Sequence, residues 1–279
     1  MDTLSANETA AFTASLLETL RQQRPLVQNI TNFVSMDLAA NALLAIGASP
    51  AMVHAREEVE EFVRIASALT INIGTLSSQW LESMEIAATA ASVQQKPWIL
   101  DPVGVGATTF RNHAVTRLLR HYPTLIRGNA SEILAVARLA GLTDVDAAPK
   151  GVDAANSTEE AEGFAAALAS HFQCVVAATG EVDIITDGTR LVRLANGHPL
   201  MTRVTAIGCA LSATAGAFVA ITDDKFQAAA AAIAIYGVVG EMAAEGGALV
   251  GPGSFRVRFL DQLAAVEGAD ITARLKVVA

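Results

Sequence analysis

The chain has 279 residues, of which 52% are hydrophobic, 17% charged and only 5% aromatic, and its formal net charge is −9. That length suits one large α/β domain over 1–279 with a core of Ala, Val, Leu and Ile rather than rings. The acidic balance and the lack of a Lys/Arg cluster argue against a nucleic-acid partner, and the longest uncharged apolar stretch, 228–240, is too short to cross a bilayer.

The first twenty-five residues carry Phe12, Leu16, Leu17 and Leu20 at helical spacing, with Glu8 and Glu18 among them, so they predict an amphipathic helix rather than a signal peptide. Beyond it, short apolar runs alternate with segments of helical periodicity. Strands are predicted over 51–54, 69–73, 98–100, 125–127, 174–178, 183–186 and 191–194. Helices are predicted over about 35–46, 57–67, 78–94, 111–121, 130–140 and 158–171. The alternation is that of repeated β-α units around a mostly parallel sheet flanked by helices. Asp187-Gly188 between two β-rich runs predicts a two-residue hairpin that extends the sheet antiparallel. Ser157 with Glu160 has the pattern of a capping box, and the polar stretch 143–156 reads as a loop. The 228–240 stretch predicts a buried Ala-rich helix in close contact with another helix or subunit.

Ligands of open parallel sheets sit beyond the carboxyl ends of the strands, so the residues that end each run matter most. The run 98–100 ends in Asp101, the run 125–127 in Arg127, Asn129 and Glu132, and the run 174–178 in Thr179. A carboxylate such as Asp101 or Glu132 can hold Mg²⁺ through water, and Arg127 can neutralise a polyphosphate with its forked donors. Taken singly, an Asp or Asn after a strand can equally be a helix cap.

Further on, Thr205-Ala206-Ile207-Gly208-Cys209 leads into a helix of small residues. Amides at such a helix start, with Gly208 allowing close approach, suit a transferring phosphoryl group, although no P-loop motif is present. Cys209 at the positive end of that helix is expected to have a lowered thiol pKa. It reads as a buried core thiol, as a covalent nucleophile of a hydrolase, or as the place where an alcohol loses its proton. Cys174, inside a predicted strand, reads as core. Neither cysteine has a CxxC or metal-ligand spacing, which points to a reducing compartment, the cytoplasm.

Six blocks occur in order: QNITNFVSMD at 28–37, AIGASPAM at 45–52, ILDPVGVGAT at 99–108, IRGNASEI at 126–133, ATGEVD at 178–183 and VTAIGC at 204–209. In this order they resemble the hydroxyethylthiazole kinase family. The resemblance implies a ribokinase-like three-layer fold, ATP as phosphoryl donor with Mg²⁺, the alcohol of 4-methyl-5-(2-hydroxyethyl)thiazole as acceptor, and a homotrimer. By matching positions, Arg127 and Thr179 are expected to contact ATP, and Met52 and Ala206 the thiazole. Asn29 joins them as a substrate-side candidate. Asp101 and Glu132 match the acidic positions near the metal, and Cys209 stands where related sugar and pyrimidine kinases carry an Asp base. The family loop commonly reads TGTGC, so Ala206 here replaces a glycine and restricts the backbone. Another small alcohol, such as hydroxymethylpyrimidine, is the alternative acceptor on the same fold.

Overall fold

The computed structural model describes residues 1–142, 158–246 and 250–278. Chain order begins with β1 (Asp2–Thr3), α1 (Ala6–Gln23), β2 (Leu26–Ile30), α2 (Met36–Ile46), β3 (Ser49–Ala51) and α3 (Val59–Ile65). It continues with β4 (Ala68–Asn72), α4 (Ser78–Val93), β5 (Trp98–Asp101), α5 (Thr109–Leu119), β6 (Leu125–Asn129), α6 (Ala130–Leu139) and α7 (Thr158–Phe172). The hairpin strands β7 (Val175–Thr179), β8 (Asp183–Thr186) and β9 (Arg190–Leu194) lead through a short 3-10 helix to α8 (Ile207–Ala220) and α9 (Lys225–Ala244). The last elements are α10 (Pro252–Ala265), α11 (Gly268–Arg274) and β10 (Val277–Val278).

Among the described residues these strands form one sheet of ten, ordered β1-β9-β8-β7-β6-β5-β4-β2-β3, with β10 also on β9. From β3 across to β7 every pairing is parallel. The turn to antiparallel comes at β7–β8 and β8–β9, where the hairpin was expected. Its connection runs over 187–189, one residue longer than expected, with Gly188 at φ +89° and Asp187 Oδ1 accepting from the Thr189 and Arg190 amides. A side chain at φ > 0 would be strained, which is why glycine stands there.

The central strands are apolar on both sides because both faces are covered. On β5, Ile99 packs into one helical layer while Trp98 and Leu100 pack into the other. On β7 the same alternation sends Val175 and Ala177 one way and Val176 and Ala178 the other. One layer is α1, α2 and α8 to α11; the opposite layer is α3 to α7. Several of these helices are capped by polar side chains, as in α1, where Ser5 and Glu8 satisfy each other's amides.

α9 is long and apolar enough to span a membrane by length and composition alone, but 89% of that stretch is buried inside the fold. It packs against α1, α8 and α10, and its Tyr236 hydroxyl is 2.8 Å from Thr214 Oγ1 of α8. Small side chains let the helices approach, and each large buried side chain, such as Phe226 or Ile235, adds roughly 1.5–3 kcal/mol.

Three differences from the sequence expectations stand out. β2 was not predicted, because Gln28 and Asn29 interrupt its apolar pattern. Both are buried: Gln28 Nε2 donates to the Val53 and Val59 carbonyls, and Asn29 Nδ2 to Val27 O. The strand expected at 51–54 lies at Ser49–Ala51, paired with β2. The C-terminal segment, for which no element was expected, forms two helices and a strand that cover α1, α9 and β9. The expected loop at 143–156 and the Ser157–Glu160 cap fall outside the described residues.

Candidate active site

Asp101 ends β5 and is fully buried. Register places it beside Asn72, the last residue of β4. Asn72 Nδ2 donates to Asp101 Oδ2 at 2.6 Å, and Ser212 Oγ of α8 donates to the same oxygen at 2.7 Å. Asp101 Oδ1 is buried with no hydrogen-bond partner. Burial pushes the carboxyl up to about 6; Arg127, Ser212 and Asn72 pull it down, and Glu132 pushes it further up. An acceptor oxygen left bare in the interior is costly unless a ligand completes it.

Arg127, in β6, crosses to β7, where its Nη2 donates to Thr179 Oγ1 at 2.6 Å. Its Nε is buried with no partner. The guanidinium lies over the start of α8: a Cβ on Gly208 would stand 3.0 Å from Nη1 and 3.3 Å from Nη2. Gly208 therefore serves here by having no side chain. Asp183, at the start of β8, accepts from Gly180 N at 2.9 Å; burial pushes it up to about 6 against the pull of that amide and of Arg127. The cation is thus set among partners at three strand ends and one helix start.

Glu132, a candidate metal-side acid from the sequence, caps α6. Asn129 Oδ1 accepts from Glu132 N, while Glu132 Oε2 accepts from Asn129 N, closing a capping box on α6. Its Oε1 accepts from Gly104 N at 2.8 Å, tying the loop after β5 to α6. The cap reading and the site reading of this acid hold together, since each oxygen keeps a second lone pair.

Cys209 Sγ is 3.4 Å from Asn32 Nδ2. The expected lowering of its pKa is overturned: burial first, then the Asp101 charge, push the thiol up, and Asn32, Asn72 and Arg127 only partly oppose them. The helix start favours a thiolate, but desolvation and a neighbouring carboxylate outweigh it. No histidine is among the groups acting on this thiol, so a Cys/His nucleophile has no support among the described residues. Cys174 is buried just before β7, and burial alone pushes it up to about 12.

Ala206 precedes α8 with φ +70° and ψ 0°, the left-handed conformation in which glycine is at ease. It offers no side-chain cap to the first amides of α8. Met52 is half-buried and packs against the core layer that holds α8. Asn29 bonds within its own strand, and its Oδ1 is buried without a partner; among the described residues no hydrogen bond ties Asn29 to the Asp101–Cys209 group.

Four residues of the site were not singled out from the sequence: Asn32, Asn72, Ser212 and Asp183. Asn72 and Asp183 carried a signal, a polar residue at the end of an apolar run and an acid inside ATGEVD. Asn32 and Ser212 look like ordinary residues before and inside helices.

A family description, the Hydroxyethylthiazole kinase family, matches residues 17–268. The chain is 54% identical over 263 residues to a hydroxyethylthiazole kinase of Rhizobium etli, covering 94% of this chain and 99% of that protein. A solved hydroxyethylthiazole kinase structure from Pyrococcus horikoshii superposes with a TM-score of 0.88 at 41% identity, over 96% of this chain and 98% of that one. A ribokinase-like superfamily protein from Enterococcus faecalis shares the fold, with a TM-score of 0.63 at 13% identity over 96% and 97% of the two chains. With acids, a half-buried arginine and a glycine-opened helix start at one sheet edge, and likeness over nearly its whole length, this chain belongs to the hydroxyethylthiazole kinase family.

Proposed function

We propose that the chain, acting as one domain, transfers the terminal phosphoryl group of ATP to the primary alcohol of 4-methyl-5-(2-hydroxyethyl)thiazole. The observation that carries this is Arg127: one nitrogen is spent on Thr179, Nε is buried without a partner, and the guanidinium lies over Gly208 where α8 begins. That is a cation with unspent donors beside helix amides, as a polyphosphate requires.

Phosphoryl transfer needs positioning and charge neutralisation more than covalent help. Arg127 and the amides from Gly208 onward neutralise the transferring group and hold it in line. Thr179 orients the arginine. The residues fit magnesium: Asp101 Oδ1 is a bare hard oxygen, and Glu132 is close enough to raise the Asp101 pKa. Asp101 and Glu132 would hold the ion through water, and the ion would draw charge from the phosphate oxygens. Cys209, kept protonated by burial and Asp101, orients the alcohol by hydrogen bonding and is a poor base. Met52, Ala206 and Asn29 are assigned to the thiazole side. A homotrimer is proposed on the family resemblance. The cytoplasm is assigned from the two free thiols.

The test is ADP release from ATP with hydroxyethylthiazole, with and without Mg²⁺. The expected outcome is Mg²⁺-dependent release that needs the thiazole alcohol. Release at the same rate without it, or faster with hydroxymethylpyrimidine, overturns the assignment.

A further inference from the structure

The amides of Asn32 and Asn72 have their orientations forced by backbone donors. Ser35 N donates to Asn32 Oδ1 at 3.0 Å, and Gly74 N donates to Asn72 Oδ1 at 2.9 Å. A backbone N–H cannot accept, so both oxygens are identified and both Nδ2 groups must face the other way. Asn72 Nδ2 then meets Asp101 Oδ2 at 2.6 Å. Asn32 Nδ2 meets Asn72 Oδ1 at 2.8 Å and Cys209 Sγ at 3.4 Å, which accounts for both of its hydrogens. Asn32, Asn72 and Asp101 are all buried. Space closes the remaining side, since a Cβ on Gly74 would lie 2.6 Å from Asn32 Nδ2 and 2.8 Å from its Cγ. Donation thus runs outward from Asn32, on one side to Asn72, which in turn donates to Asp101, and on the other to Cys209, whose sulfur accepts; the Asn72 amide also acts on that thiol.

We propose that Asn32 is a positioning residue for the transfer: clamped by Ser35, Asn72 and Gly74, its amide holds the Cys209 sulfur as an acceptor and so fixes the direction in which the thiol meets the substrate hydroxyl. The proposal rests on Cys209 as the group that orients the alcohol. An amide suits this task better than a hydroxyl, because it cannot rotate its donors away. No covalent step is involved.

The test is a double-mutant cycle on the full-length protein with ATP, Mg²⁺ and hydroxyethylthiazole: Asn32→Leu, Cys209→Ala and the pair, each read as kcat, KM for both substrates and Tm. Asn32→Leu keeps the size of the side chain and removes the donor. It is expected to lower kcat/KM for the alcohol by about 5- to 10-fold while KM for ATP changes by less than about 2-fold. In the Cys209→Ala background the same substitution is expected to cost less than about 2-fold, because the partner is gone. Gly74→Ala, which displaces the Asn32 amide without deleting any other side chain, is expected to repeat that pattern and serves if Asn32→Leu does not fold. A full, additive loss on top of Cys209→Ala overturns the role of Asn32 alone. If Cys209→Ala by itself leaves the kinetics unchanged, the reading of Cys209 falls, and the role of Asn32 falls with it.

Discussion

The two ends of the proposed site handle charge in opposite ways. At the nucleotide end, Arg127 is half-buried, bonded to a neutral hydroxyl and left with a free donor, so its charge is available to a ligand. At the alcohol end, two neutral donors crowd one oxygen of the buried Asp101 and leave the other bare, and the thiol beyond it is held protonated. Strong fields belong where phosphate charge must be met, and a dry, neutral donor belongs where an alcohol must be aimed at the phosphoryl group ahead of competing water.

The largest effect expected from this contrast is on Arg127→Ala, which removes the available charge. kcat/KM for ATP should fall by roughly 100- to 1,000-fold in the ADP-release assay. A loss under about 10-fold would mean that the charge of this end lies elsewhere.

Next is Asp101→Asn, which should abolish transfer yet stabilise the fold. The Asp101 carboxyl stands near 6 when folded, above its ordinary value, so the folded state holds a proton that the unfolded chain has lost. Its contribution to stability is therefore complete at low pH and is lost as pH rises through the range from about 4 to about 6. Asp101→Asn should be more stable than the parent at pH 7.5, by roughly 3 kcal/mol, and the difference should vanish below about pH 4. Melting curves across pH read this directly.

Cys209→Ala should retain activity, with kcat lowered by about 10-fold, because the thiol orients rather than deprotonates. A total loss, equal to that of Arg127→Ala, would restore the thiol as an obligatory base or nucleophile. The smallest effect is at the loop between the two ends. Ala206→Gly relieves a left-handed alanine and should raise stability by about 0.5–1 kcal/mol, read as a rise of about 1–2 °C in Tm. No gain would mean that the added freedom of the unfolded chain cancels the relief.

Much of this site is legible before folding. Asp101, Arg127 and Thr179 each end an apolar run, and a parallel sheet must deliver such residues to one edge. Gly208 is legible as a point of close approach, though not as a place for a guanidinium. The helix start before Cys209 is legible too, and it misleads: read locally it lowers the thiol, whereas the folded surroundings raise it. Asn72 goes unnoticed because its value depends on β4 lying next to β5, and Ser212 because nothing near it in the chain says that α8 crosses that strand end.

Strand and helix periods, turn residues and the order of the motif blocks follow from contacts within a few positions, and they suffice for an α/β chain with its chemistry at strand ends. Dielectric, hydrogen-bond partner and the sign of a pKa shift depend on what arrives through space. Asn72 is 29 residues from Asp101, Ser212 is 111 residues away from it, and Asn32 is 177 residues from Cys209. Desolvation and Coulomb forces act over ångströms rather than along the chain, so those properties exist only once the sheet order has brought these side chains together.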